Sequence, residues 1–291
     1  HTGELVARAQ EVLTRVGERY PELLEPSLDH AHVTGEFLEN TLEIITGVCT
    51  TVPQACQQLI SVTDKIREVT DELGLDFYAA GTHPTAHWQD QQVSAKKRYQ
   101  RVVGRGQYWG RHMVIYGVHV HVGVDSRDKA LPLVDALTNY CAHLLGLSVS
   151  SPYWDSVDTG SIRDVAAVTA LTQCLVEFFS RKIETGEKIE VLNPWHAQEN
   201  KWRAARYGLD TEIIVSNEPQ VRPLREDIEL LVTQLEDVAR DLDCLPELQH
   251  VRNMLAEGTG ADRQRAIYEK TGSFHEVIRD VALQSRARPI R

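Results

Sequence analysis

Cysteine is scarce and unpaired in this 291-residue chain: Cys49, Cys56, Cys141, Cys174 and Cys244 are scattered and odd in number. No CxxC pair and no zinc-finger spacing occurs, which excludes a disulfide framework or a structural zinc site built in sequence. Cys56, Cys141 and Cys174 fall in helical apolar patterns, where a small buried thiol is expected. This thiol usage points to a reducing compartment, hence a cytoplasmic protein. No apolar run approaches the roughly 18 residues of a membrane span, and no signal-peptide pattern is present. Positive charge is outweighed, with 31 Lys and Arg against 42 Asp and Glu and a net charge of −11. That excludes a broad surface for nucleic acid or anionic membrane, but not a local basic pocket. There is no GxxxxGK[ST], no GxGxxG and no GxSxG, so neither a P-loop, a Rossmann turn nor a nucleophile elbow is available.

What is there reads as α+β. The chain is 42% hydrophobic and 25% charged, an ordinary globular balance. Glu4 to Val16 predicts an amphipathic helix and Pro21 to His32 a polar connection. Phe37 to Thr46 ends in a β-branched, alternating run that reads as a strand, with Thr41, Glu43 and Ile45 on one face and Leu42 and Ile44 on the other. Pro53 opens a helix that runs to about Leu73, with Gly74 as its stop. A short strand is expected over Leu75 to Ala80, and a long helix from Ser126 or Asp128 to Leu145. Further helices are expected over Val165–Thr185, Pro223 to about Asp243, Pro246–Glu257 and within Ala261–Arg286. The strands follow no βαβ rhythm, which favours an antiparallel sheet.

Tyr116 to Val124 alternates strictly. Its valines share one face, while His119 and His121, flanked by Gly117 and Gly123, share the other. Two imidazoles beside residues without side chains leave room for a metal ion or a phosphate-bearing ligand; the alternative is a solvent-facing strand. Glu43 sits between apolar neighbours, where a carboxylate is costly unless it is paired or metal-bound. Carboxylate and imidazole together suit Mg2+ or Mn2+ with phosphate oxygens completing the shell. His83, in Gly81-Thr-His-Pro84, either touches a ligand or caps its turn. The cluster Lys96, Lys97, Arg98, Arg101 and Arg105 reads as a solvated helix face or an anion site. Arg203 and Arg206 share one helical face and suit a carboxylate, a polyphosphate or acidic neighbours.

Gly81-Thr-His-Pro84, Arg98-Tyr99, Gly117-Val-His-Val-His-Val-Gly-Val124, Ser150-Ser-Pro-Tyr-Trp154, Asp158-Thr-Gly160 and Asn200-Lys-Trp-Arg-Ala-Ala-Arg-Tyr-Gly-Leu-Asp210 occur in one order. That order resembles the type 2 glutamate–cysteine ligase family, the carboxylate–amine ligases. Glu39 to Cys49 looks like the family's Glu-containing strand. The resemblance implies a glutamine-synthetase-like catalytic fold, in which a curved antiparallel sheet forms an active-site funnel surrounded by helices. It implies ATP with Mg2+ (or Mn2+) and ATP-dependent amide formation through an acyl phosphate, from glutamate and either cysteine or another amine. Carried over, Glu43 and His119 are the metal ligands, and Arg98 and Arg203 the catalytic contacts. His83, His121, Ser151, Trp154, Asp158 and Thr159 contact the nucleotide or line its site.

The whole of 1–291 is expected to be one catalytic domain, lacking an N-terminal strand with family glutamates and a segment after Gly160, where the chain runs straight into Ser161-Ile-Arg-Asp164. Partners are expected to be small molecules, with no nucleic acid and no membrane, and a homodimer is the base-rate expectation. Two other classes of function fit parts of the pattern. One is a metal-dependent hydrolase on His119, His121 and Glu43; the other is a non-catalytic remnant that binds a nucleotide or a partner.

Overall fold

The structure is a computed structural model that describes residues 2–148, 152–154, 157–158, 165–218 and 220–286. In chain order its elements are α1 (Ala9–Arg19), β1 (His32–Gly35), β2 (Leu42–Ile45), α2 (Val52–Glu72), α3 (Lys97–Arg111), α4 (Ala130–Thr138) and α5 (Cys141–Leu147). There follow β3 (Tyr153–Trp154), β4 (Val157–Asp158), α6 (Val165–Thr185), α7 (Pro194–Tyr207), β5 (Glu212–Ile214) and β6 (Val221–Pro223). The last four are α8 (Leu224–Asp241), α9 (Leu245–Glu257), α10 (Gly260–Thr271) and α11 (Phe274–Arg286). Helix dominates, and among the described residues the strands pair as β1–β2, β3–β4 and β5–β6, each antiparallel. The described residues cluster into two compact units, one drawn from 1–117, 151–161 and 264–290, the other mainly from 118–150 and 162–263.

The first unit is built on α1, α2 and the β1–β2 pair. Val12, Leu13 and Val16 of α1 meet Val62, Ile66 and Val69 of α2, and Val33 of β1 completes this core, with Leu42 and Ile44 of β2 packed against it. Thr51 caps α2 by accepting from the Gln54 N–H, Pro53 stands in its first turn, and Gly74 follows its end at φ +65°. That conformation strains any residue with a Cβ, which is why the helix stops there. Arg286 of α11 pairs with Asp71 and Asp76 and ties the last helix to the end of α2.

The second unit is helical around α6, whose Ala167, Leu171, Cys174 and Leu175 are fully buried. It packs against α8 and α9. Along α8 the buried positions Leu224, Ile228, Leu231, Leu235 and Val238 follow helical spacing, and the outer face carries its charges.

Three sequence expectations change. Tyr116–Val124 is not in a strand: the segment has no laddered partner among the described residues, and its main chain is held at Tyr116, whose N–H donates to the Gly81 carbonyl at 2.7 Å. Period-2 alternation records two environments, but a strand also needs a neighbour to complete its hydrogen bonds. Leu75–Ala80 likewise carries no strand; Leu75 and Phe77 serve as partly buried packing for the α1–α2 core. The helix expected from 126 to 145 is two helices, α4 and α5, separated at Asn139 and Tyr140. The Asn139 side chain bonds the main chain of Glu190 and Leu192 instead of remaining solvated.

Candidate active site

The β1–β2 pair sorts its side chains by face. In its register His32 stands opposite Ile45, and Thr34 opposite Glu43. Because strand side chains alternate, these four share one face, while Val33, Leu42 and Ile44 serve the core behind. The first face floors a cavity of about 430 Å3, walled by Leu24 and Pro26 before β1 and by Lys96 and Arg98 at the start of α3. Glu43 and Arg98, sequence candidates from separate motifs, therefore line one cavity. His32, Thr34 and Lys96 join them.

The electrostatics of this lining are unusual. Lys96 Nζ donates to the Gly35 carbonyl at 2.5 Å and to Thr34 Oγ1 at 3.3 Å, which leaves one of its three donors over. The Arg98 guanidinium lies 4.4 Å from the centre of the Tyr99 ring and donates to the Tyr99 hydroxyl. Tyr99 is itself buried, edge-on to Phe37 at 5.6 Å, so it fixes Arg98 from below. Burial raises the Tyr99 hydroxyl above its ordinary range, and it stays protonated. The Glu43 side chain makes no hydrogen bond or ion pair among the described residues, and there neither Lys96 nor Arg98 has a carboxylate partner. His32 is 8% exposed, and its Nδ1 is buried without a partner. Elsewhere Arg181 pairs with Glu177 and Asp241, and Arg252 with Glu229 and Glu236. One half-buried carboxylate, two exposed cations and an imidazole whose buried Nδ1 has no partner line this one cavity.

The other sequence candidates fall as follows. His83 is 2% exposed and lies outside this lining; its Nδ1 accepts the Thr85 N–H at 3.4 Å, the turn-capping alternative, and its ring packs on Tyr78 at 5.0 Å. Burial lowers its imidazole to about 4. Arg203 pairs with Glu199, one helical turn away, at 2.8 Å and donates to the Glu212 carbonyl, the alternative of acidic neighbours. His119 and His121 are exposed, with ring centres 6.2 Å apart; a Cβ added at Gly117 or Gly123 meets nothing within 4 Å. Ser151 and Thr159 lie outside the described residues, as do the side chains of Trp154 and Asp158. Among the described residues no three His, Cys, Asp or Glu side chains gather as a metal set. The cavity lining does not fit a resident divalent ion either, since a single carboxylate faces two cations.

Sequence reasoning missed His32 because the segment before β1 was read as connection. The alternation His32-Val-Thr34, with Val33 turned to the core, was the available signal. In the second unit it also missed a buried pair: His143 Nε2 meets Asp227 Oδ2 at 2.8 Å, and Arg222 bonds the same carboxylate. Burial raises the Asp227 carboxyl, but His143 and Arg222 outweigh it and hold the group below its ordinary value. The five cysteines are all free thiols, as their spacing implies, and Cys174 and Cys244 touch at 3.6 Å.

Comparison with known proteins places these features. A family description, glutamate-cysteine ligase family 2, matches residues 4–161 and 161–283. A protein of Arthrobacter sp. (strain FB24) named "Putative glutamate--cysteine ligase 2-1" is 38% identical over 357 residues, covering 99% of this chain and 93% of its own length. Relatives in Corynebacterium efficiens, with that same name, and in Corynebacterium glutamicum, named "Putative glutamate--cysteine ligase 2", are 35% and 34% identical over 93% and 95% of this chain, and over 88% and 90% of their own lengths. The chain belongs to glutamate–cysteine ligase family 2, a family of carboxylate–amine ligases. The 357 aligned positions exceed the chain's 291 residues, so the Arthrobacter relative carries residues in that span that this chain lacks. The two matched segments meet at Ser161.

Proposed function

We propose that this protein is an ATP-dependent ligase that joins the γ-carboxylate of glutamate to an amine, cysteine in the reaction that names the family. The observation that carries the reading is the family match along nearly the whole chain. The cavity supports it by bringing Glu43 and Arg98 together.

In the proposed reaction a γ-carboxylate oxygen attacks the γ-phosphorus of ATP and ADP leaves, giving γ-glutamyl phosphate. The amine nitrogen then attacks the acyl carbon, phosphate departs with its bridging oxygen, and the nitrogen loses a proton to give the amide. No protein nucleophile is needed, in keeping with a chain that has no nucleophile elbow. The work left to the protein is positioning and charge stabilisation. Arg98, stacked on Tyr99, presents donors in a fixed plane suited to a carboxylate or phosphate. His119 and His121 are proposed to meet the nucleotide, and a glutamine-synthetase-like funnel is the proposed setting. Mg2+ or Mn2+ neutralises phosphate charge when it arrives with ATP. The cytoplasm is the proposed location; among the described residues no helix is long and apolar enough to cross a membrane.

The test is ADP release with Mg2+ and ATP, measured with glutamate alone, with an amine alone and with both. Release that needs both supports the ligase and names the amine. A metal-dependent hydrolase ignores ATP, and a remnant binds ATP without turnover; either result overturns the reading.

A further inference from the structure

Cys174, midway along α6, and Cys244, the residue that opens α9, are both fully buried free thiols, and their sulfurs touch at 3.6 Å. A disulfide needs the two sulfurs about 1.5 Å closer. Both residues belong to the second unit, where α6 packs directly against α9, so the helices that carry them already lie side by side. Buried thiols often act only as small apolar fillers, but two further features set this pair apart. Cys244 stands at the N-terminus of α9, where the helix dipole favours a thiolate. Hydrogen bonding to Cys244 raises the Cys174 thiol, and the hydrogen bond from Cys174 lowers Cys244, so Cys174 keeps its proton and Cys244 ionises first. The second feature is the turn that carries Cys244. Asp243 before it holds a left-handed φ of +52°, and no side chain caps the first turn of α9. A strained, uncapped turn opens at lower cost than a helix interior, and its opening brings Cys244 to solvent.

We infer that Cys174 and Cys244 form a redox-active dithiol, a modification site at which a small peroxide converts the two thiols reversibly into a disulfide joining α6 to α9. The Cys244 thiolate attacks one peroxide oxygen. The O–O bond breaks, the departing hydroxide takes up a proton and leaves as water, and Cys244 becomes a sulfenic acid. The Cys174 sulfur then attacks the Cys244 sulfur. The S–S bond forms, the S–O bond breaks, and the hydroxide leaves with the Cys174 proton as a second water. The two thiols lose two electrons, and the peroxide gains them. The new bond closes a long loop that runs from α6 through α7 and α8 to the start of α9, so the oxidised chain is the more stable form. A thiol reductant reverses it. Cys49 and Cys141 lack such a neighbour: their thiols meet the Gly47 and Leu137 carbonyls instead, which makes them internal controls. No step involves ATP, glutamate or an amine, so the inference stands apart from the ligase reading.

The experiment treats the reduced, folded full chain with hydrogen peroxide, blocks the remaining thiols with an alkylating agent in denaturant, and reads the intact mass and the peptide map. Two of the five thiols are expected to be lost and three alkylated, with a cross-linked peptide joining Cys174 to Cys244 and all five recovered after dithiothreitol. The oxidised wild-type protein is expected to melt several degrees above the reduced form. In Cys174→Ala the sulfenic acid has no thiol to meet, so dimedone is expected to label Cys244; Cys244→Ala is expected to give neither the cross-link nor a dimedone adduct at Cys174. Three results overturn the inference: five alkylated thiols after peroxide, a cross-link that forms only in urea-unfolded protein, or a cross-link that lowers the melting temperature. All three are read on wild-type protein alone, so a variant that fails to fold does not decide the outcome.

Discussion

Thr34 of β1 stands directly opposite Glu43 of β2, and that one register pair sets the chemistry of the cavity. A slip of one residue would turn Glu43 into the packed core and put Leu42 or Ile44 in its place. The register is fixed by Val33, Leu42 and Ile44, which bury against α1 and α2. The carboxylate is therefore held at the cavity by hydrophobic packing on the far side of its own strand.

Glu43→Ala is accordingly expected to lower kcat/KM for glutamate by about 100-fold, the scale of a lost charge partner in a binding site, with little change in the thermal midpoint. Steady-state kinetics beside differential scanning fluorimetry checks it. Retained activity would remove Glu43 from the site.

Arg98 presents a flat guanidinium stacked on Tyr99. Arg98→Lys keeps the charge but loses the stacked, two-pronged donor geometry. We expect it to raise the KM for glutamate by about 10-fold and Arg98→Ala by more, while Arg203→Ala, which breaks a pair with Glu199 on its own helix, costs less than either. Side-by-side KM measurement on the three variants decides the order.

His83 makes stability depend on pH. Burial lowers its imidazole to about 4, against an ordinary value of 6.5. The folded state therefore favours the neutral ring, and the unfolded chain binds the proton more readily between those values. Its contribution is complete above about pH 6.5 and is lost as pH falls toward 4, by roughly 3 kcal/mol in all. Urea unfolding across that range shows the slope, and His83→Gln is expected to flatten it.

The His143–Asp227 pair acts lower on the scale. Asp227 is held below its ordinary value of 3.8, so its contribution is present above about pH 4 and is lost as pH falls through the folded value. Asp227→Asn leaves a buried imidazole facing an amide and is expected to cost about 3 kcal/mol, read as a lower urea midpoint.

Most helices were legible because their apolar positions recur at helical spacing and their ends carry Pro or Gly: α2 between Pro53 and Gly74, and α6 over Val165–Thr185. The faces of β2 were legible for the same kind of reason, since Leu42 and Ile44 must bury. Residues 116–124 were misread as a strand because alternation reports sidedness but says nothing about a hydrogen-bonding neighbour. Glu43 and Arg98 were found by motif, whereas Lys96 was seen only as one charge in a run, and His32 was not seen at all. What the structure adds is that they line one cavity, and that convergence is a three-dimensional property. Glu199, four residues before Arg203, was the local sign that this arginine is satisfied by its own helix.

The most direct measurement supplies glutamate labelled with 18O in its γ-carboxylate, together with ATP, Mg2+ and cysteine, and reads the isotope in the released phosphate. Attack of that carboxylate on ATP predicts one 18O transferred to phosphate for each amide formed. ADP and phosphate released without label would contradict the account.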